Sequence, residues 1–395
     1  MDYIFSNRIS ALKPSAIREI LKATQGSDVI PFAAGNPAPE AFPVEEVRKI
    51  SADIFANAPI TALQYGITEG YAPLRKTVSD YMRSEYNVGS DDDDIIITTG
   101  AHQVIDLATK VLCNEGDVVI SEAPSFIGAL NTYRSYNARL VGVEVESDGM
   151  NVEKLEAALK AEPRAKFIYT IPNFQNPAGV TMSWEKRVKV YELAKKYGVI
   201  ILEDNPYGDL RVAGEDIPAI KTLDKDGIVI YSGSFSKILA PGIRVAYTIA
   251  NKELISKMTV GKQASDVHTP VFNQMLVHEW MTKYDFRAHI EKIRNIYRGK
   301  LTLMCDLIDS ELGGFFRYVR PEGGLFIWCD LPENVEMLDF VKRSAEAGVA
   351  LVPGTAFMMY PEDKTNSVRL NFSTPTDEGI VKGMHILGDL ATTMR

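Results

Sequence analysis

The sequence predicts an α/β protein: a large domain built on a mostly parallel sheet flanked by helices, plus a smaller α+β domain. Three observations carry this. The chain has 395 residues, more than one compact core usually holds. From 95 to 250, short β-branched runs alternate with amphipathic runs, the pattern of βα units. After about 285 a long charged amphipathic stretch gives way to shorter mixed elements.

Taken in order, "IIITT" (95–99) leads to "AHQVIDLATKVL", "DVVISE" (117–122) to "SFIGALNTYRSY", and "RLVGVEV" (139–145) to "VEKLEAALKA". "KFIYT" (166–170) precedes "SWEKRVKVYELAKKYG", and "VIILED", "GIVIYSG" and "IRVAYTIA" follow. The apolar runs lack strict alternation, as expected of strands buried on both faces. The helix at 183–197 shows its limits: Ser183 as N-cap, Glu185 at the positive end, Gly198 as the stop. "DFRAHIEKIRNIYRGKLTLMCDLIDSEL" reads as a connecting helix. Beyond it, "FFRYV", "GGLFIWCDL", a helix near 335–347, "VALVPG", "SVRLNFS" and a final helix make the smaller domain. The expected division is 45–288 for the large domain, and 1–44 with 289–395 for the small one.

Composition narrows the function. The formal net charge is −9, which argues against a nucleic-acid or anionic-membrane partner. Cys113, Cys305 and Cys329 are scattered, which excludes a disulfide scaffold and suits a reducing compartment. No apolar run approaches the ~20 residues that span a bilayer, and "MDYIFSNRIS" lacks a secretory pattern. A cytoplasmic enzyme is expected. P-loop, dinucleotide-fingerprint and nucleophile-elbow motifs are absent. The five histidines lack metal-ligand spacing, so no metal site is expected, and His278 and His289 read as helix-surface residues. "DDDD" (91–94) reads as a solvated turn before a strand.

The chemistry centres on "SGSFSKILAPGIRVAY" (232–247), at the end of an apolar run. Ser234, Ser236 and Arg244 supply what a phosphate group requires, hydroxyl donors and a bidentate cation. Beside them Lys237 is placed to act as an amine nucleophile toward an aldehyde. A cofactor joining an aldehyde to a phosphate is pyridoxal 5'-phosphate, which needs a Schiff-base lysine, a carboxylate on its ring nitrogen and a phosphate cup. Asp204 ends "VIILED" at the mouth of a predicted parallel strand, where open α/β sheets bind ligands. Gly100, Ala101 and His102 open a helix whose N–H groups can cradle phosphate.

These segments resemble the class I/II aminotransferases of fold type I. "PNFQNPAG" (172–179) is similar to that family's Asn-Pro-[Thr/Ala]-Gly motif, "EDNPYGDL" to its Asp-x-x-Tyr motif, and "SVRLNFS" to its late arginine segment. "PSAIREI", "FAAGNPAPEAFP" and "LQYGITEGYAPLR" resemble the kynurenine/2-aminoadipate subgroup. The resemblance implies an enzyme that moves an amino group from an L-amino acid to a 2-oxo acid by a ping-pong mechanism. It implies that Lys237 bonds the cofactor and shuttles a proton, that Asp204 pairs with the ring nitrogen, and that Asn176 and Tyr207 bond the phenolic oxygen. It implies Phe126 on the ring face and Ala101, His102, Ser234, Ser236 and Arg244 around the phosphate. It further implies a homodimer with shared sites, Tyr65 reaching the neighbour's phosphate. Arg369 would grip the substrate α-carboxylate, Gly35 leave room for it, and Ser15 and Arg18 select its side chain. His102 stands where relatives usually carry Gln, and Asn36 where Leu is common. Two rival readings remain open: β-elimination or decarboxylation with the same cofactor, and a non-catalytic ligand-sensing domain. The second normally follows a DNA-binding module, and only about 30 residues precede "PFAAGNPAPE".

Overall fold

The computed structural model describes residues 3–10, 12, 29–360 and 362–394. Ser15 and Arg18 lie outside the described residues. Two sheets organise the fold. The larger contains β1 (Asp93–Thr98), β2 (Val118–Ala123), β3 (Arg139–Glu146), β4 (Gly149–Met150), β5 (Ala165–Thr170), β6 (Ile200–Asn205), β7 (Val229–Ser234) and β8 (Ala246–Asn251). Its order is β1-β8-β7-β6-β5-β2-β3-β4. The four central pairings, β7-β6, β6-β5, β5-β2 and β2-β3, are parallel. The strand β8 runs antiparallel to both β7 and β1, so the sheet is mostly parallel, as the sequence predicts.

The central strands β2, β5, β6 and β7 carry side chains buried on both faces. That explains their unbroken apolar runs, since helices cover each side of the sheet. The Trp184–Tyr197 helix begins and ends where its sequence signals say. Ser183 accepts from the Lys186 N–H, and Gly198 takes a left-handed φ of 65°. The Phe286–Glu311 helix links this layer to the smaller sheet. There β9 (Arg317–Tyr318), β10 (Phe326–Asp330), β11 (Val352–Pro353) and β12 (Ser367–Asn371) lie in the order β11-β12-β10-β9. All three pairings are antiparallel. Ile30 bridges Val349, which ties the early segment to the small-sheet side.

Two expectations need correction. The run at 91–94 is not wholly a solvated turn. Asp91 and Asp92 are exposed, but Asp93 begins β1 and forms an ion pair at 2.8 Å with Lys221. Lys221 also holds Asp224 at 2.7 Å, because a buried ammonium must be paired. Nor are His278 and His289 plain surface residues. His278 bonds Thr77 at 3.0 Å, and His289 packs edge-on against the buried Trp280.

Candidate active site

The C-terminal ends of β5, β6 and β7 open into one cavity of about 340 Å³. The phosphate-ready turn after β1, the segment at Gly35 and the small-sheet strand β12 close it from other sides. Parallel strands force this convergence, since every strand end and following loop emerges at one edge. Gly35, Ala101, His102, Phe126, Asn176, Asp204, Tyr207, Ser234, Ser236, Lys237, Arg244 and Arg369 all line the cavity. They come from segments spread over more than 300 positions of sequence.

Lys237 follows β7, and its Nζ donates to the Gly35 carbonyl at 2.9 Å. The side chain is half-buried, with its amine turned into the cavity. Burial, then the charges of Arg369 and Arg244, lowers the amine to about 8. A neutral amine is therefore accessible near neutral pH, which an ordinary lysine does not offer.

Asp204 is 3% exposed at the end of β6. Burial raises its carboxyl to about 6, against the pull of the Tyr169 and Ser232 hydroxyls. The Tyr169 hydroxyl donates to Oδ2 at 2.9 Å, while neither the Ser232 hydroxyl nor any other group among the described residues makes a well-formed hydrogen bond to Oδ1. A buried carboxylate oxygen left unpaired is costly, so it calls for a donor from the cavity. A protonated ring nitrogen is such a donor.

Tyr207 and Asn176 face each other, and the Asn176 amide oxygen accepts from Arg369 Nη1 at 3.1 Å. Arg369 sits on β12 and is 3% exposed. Its Nη2 donates to the carbonyls of Ala33 and Ala34 at 3.0 and 3.3 Å, and its plane lies on the Phe326 ring, 4.1 Å from the centroid. Its Nε has no partner among the described residues. One edge of a clamped, buried guanidinium thus remains for a carboxylate.

The phosphate-ready side is built on a glycine. Gly100 has a φ of 80°, and a Cβ there would collide with the Arg244 guanidinium. Only glycine lets Arg244 lie across this turn. Arg244 Nη2 donates to the Thr99 carbonyl at 3.3 Å, and Ser234 Oγ accepts from the Ser236 N–H at 3.2 Å. Ala101 opens the following helix, so amides, hydroxyls and a guanidinium meet in one concavity. His102 stands edge-on to Phe126 at 6.4 Å, and its Nε2 lies 3.2 Å from Thr132 Oγ1. The donor set, the orphaned Asp204 oxygen and the softened Lys237 amine fit pyridoxal phosphate.

Tyr65 is the exception. It lies outside this cavity, 83% exposed, edge-on to His268 at 5.7 Å. Sequence reasoning also missed several participants. Tyr169 holds Asp204, Phe326 carries Arg369, and Glu122 is buried under the Asn176 loop. Glu122 accepts from Thr170 Oγ1 at 2.6 Å, from the Ile171 N–H at 3.1 Å and from Gln175 Nε2 at 3.1 Å. Burial raises its carboxyl to about 7. A charged residue closing the apolar run "DVVISE" is the one signal that pointed to it.

Known proteins agree with this geometry. Residues 27–387 match the family described as aminotransferase class I and II. The chain is 39% identical to aromatic-amino-acid aminotransferase 1 of Thermococcus litoralis, covering 98% of this chain and 94% of that one. It is 38% identical to 2-aminoadipate transaminase of Thermus thermophilus, over 97% and 95% respectively. Among solved structures, kynurenine aminotransferase of Pyrococcus horikoshii in complex with PMP superposes with a TM-score of 0.95 at 38% identity, covering 98% of this chain and 97% of that one. The chain therefore belongs to the class I and II aminotransferases, and it is a pyridoxal-phosphate-dependent aminotransferase of fold type I.

Proposed function

We propose that the cavity transaminates an L-amino acid against a 2-oxo acid, with Lys237 as the residue that holds the cofactor and moves the proton. The observation that carries this is the pairing of a depressed Lys237 amine with an unpartnered Asp204 oxygen in one cavity. When bound, the cofactor supplies an electron sink for the charge left at the substrate α-carbon.

The rest follows from the chain's own residues. Ser234, Ser236, Arg244 and the amides after Gly100 hold the phosphate. Ionised Asp204 keeps the ring nitrogen protonated, and Tyr169 fixes the orientation of Asp204. Asn176 and Tyr207 bond the phenolic oxygen, Phe126 covers the ring face, and His102 borders the phosphate side. Arg369 orients the substrate through its α-carboxylate, beside the space left by Gly35. Lys237 Nζ would hold the cofactor and, as a free amine beside the substrate α-carbon, would take the α-proton and give it back. Proton transfer of this kind contributes ~10²–10⁴-fold. Both half-reactions use the same carboxylate grip, hence ping-pong kinetics.

We further infer a homodimer with shared sites, Tyr65 serving the partner's phosphate. Its exposure and the exposed Ile60, Leu63 and Ile67 around it support this. The domain division at 45–288 against 1–44 and 289–395 is supported by the Ile30–Val349 bridge. A cytoplasmic location is supported by the three free cysteines. Ser15 and Arg18 are proposed as side-chain selectors from the motif alone. The relatives' names point to aromatic amino acids, kynurenine and 2-aminoadipate as donors to test. The experiment is a panel of these amino acids with 2-oxoglutarate, scored by the 2-oxo acid formed. Formation of amine or of ammonia plus a β-eliminated fragment, without glutamate, would reject transamination.

A further inference from the structure

Lys262 lies outside the cavity and belongs to no motif, yet it is 0% exposed. A buried ammonium is costly unless every donor is used, and here the donors converge behind the phosphate-ready turn. Lys262 Nζ donates to Gln103 Oε1 at 2.6 Å and to Asp266 Oδ1 and Oδ2 at 2.8 and 2.9 Å. Both acceptors pass their hold on to one residue. Gln103 Oε1 also accepts from the Thr99 N–H at 2.8 Å, and Asp266 Oδ2 from the Thr99 hydroxyl at 2.6 Å.

The third polar atom of Thr99 is its carbonyl, which accepts from Arg244 Nη2 at 3.3 Å. Every polar atom of Thr99 is thus engaged, two toward Lys262 and one toward the phosphate-binding guanidinium. Gly100 follows directly, with its φ of 80° set against Arg244. Gln103 stands in the first turn of the helix whose N-terminal amides face the cavity. The ion pair therefore fixes three parts of the cup at once: the turn, the helix start and the arginine. Because the same few atoms share these bonds, the network holds them to one arrangement.

We propose that Lys262, with Asp266, is a positioning residue for the cofactor's phosphate: it sets Thr99 so that Gly100 and Arg244 form a preshaped cup. This rests on the assignment of the cavity to pyridoxal phosphate. Lys262 does not line the cavity, and its effect passes through Thr99.

The test separates phosphate from ring. Apoprotein is titrated with pyridoxal 5'-phosphate and, separately, with pyridoxal, reading absorbance and borohydride-stable labelling of Lys237. For Lys262→Met, the dissociation constant for pyridoxal phosphate should rise about tenfold, the size of one charge-assisted hydrogen bond. Pyridoxal attachment should change less than about twofold, since the Lys237 end is untouched. Thr99→Val, which removes one hydroxyl and preserves shape, should give the same selectivity at about threefold. Equal weakening of both ligands, or of neither, would overturn the inference. If Lys262→Met does not fold, Thr99→Val decides by the same criterion. A wild-type apoprotein that labels with neither ligand would instead overturn the cofactor assignment itself.

Discussion

The cavity floor and the surface around Tyr65 contrast sharply. On the floor, Asp204, Asn176, Tyr207 and Arg369 are buried and hydrogen-bonded by neighbours of the same chain. Outside the cavity, Tyr65 is exposed near Ile60, Leu63 and Ile67 and, among the described residues, bonds nothing in the cavity. The floor is preorganised by the fold, so its residues meet a ligand without rearranging. The Tyr65 surface is instead an exposed apolar patch, which the fold of one chain leaves uncovered.

The strongest way to break this contrast is at the floor. Lys237→Ala should lose ~10²–10⁴-fold in turnover and all borohydride-stable cofactor label. Peptide mapping that finds the wild-type label on another lysine would remove Lys237 from the centre. Asp204→Ala should come next, lowering kcat by at least about tenfold, one pKa-unit equivalent of ~1.4 kcal/mol, while cofactor stays bound. Turnover within about threefold of wild type would mean that Asp204 does not tune the ring.

The pH dependence of cofactor uptake sharpens the same comparison. Burial lowers the Lys237 amine to about 8, and only the neutral form attacks a carbonyl. The neutral fraction, and with it the rate of uptake by apoprotein, should rise about tenfold from pH 7 to pH 9. A rise centred near the ordinary lysine value would show that the amine is solvated. Arg369→Lys keeps the charge and loses the planar fork. KM for both amino acid and 2-oxo acid should rise about tenfold; a rise for one substrate alone would assign Arg369 to a side chain.

The smallest effect tests the Tyr65 surface. Lys237→Ala and Tyr65→Ala chains are mixed in equal amounts and allowed to exchange subunits. With random pairing, half the dimers are mixed and half of their sites have neither defect. Activity should therefore recover to about one quarter of wild type, by site counting under two-fold symmetry. Activity that stays at the parents' average, with exchange shown by mass spectrometry, would return Tyr65 to its own chain or to no site.

Local signals made much of this legible. Unbroken apolar runs placed the central strands and amphipathic runs the helices between them, and Ser183 and Gly198 bounded a helix through chemistry confined to its ends. The residues that line the cavity were legible because the chemistry expected of it asks for one type at each place: an amine, a carboxylate, a guanidinium. Supporting residues escaped because many types can fill their place. Nothing near Lys262 or Glu122 in sequence announces a partner 159 or 53 positions away. The same holds for Asp93, whose ion-pair partner Lys221 lies 128 positions away.

Local pattern and motif thus carried the fold class and the family, and they named residues that the fold brings into one cavity. Only the tertiary structure decided which oxygen of Asp204 is free, how far the Lys237 amine is softened and what braces the phosphate cup. The physical reason is that desolvation and hydrogen-bond saturation depend on everything packed around a group. That environment is assembled from distant segments when parallel strands bring their ends to one edge.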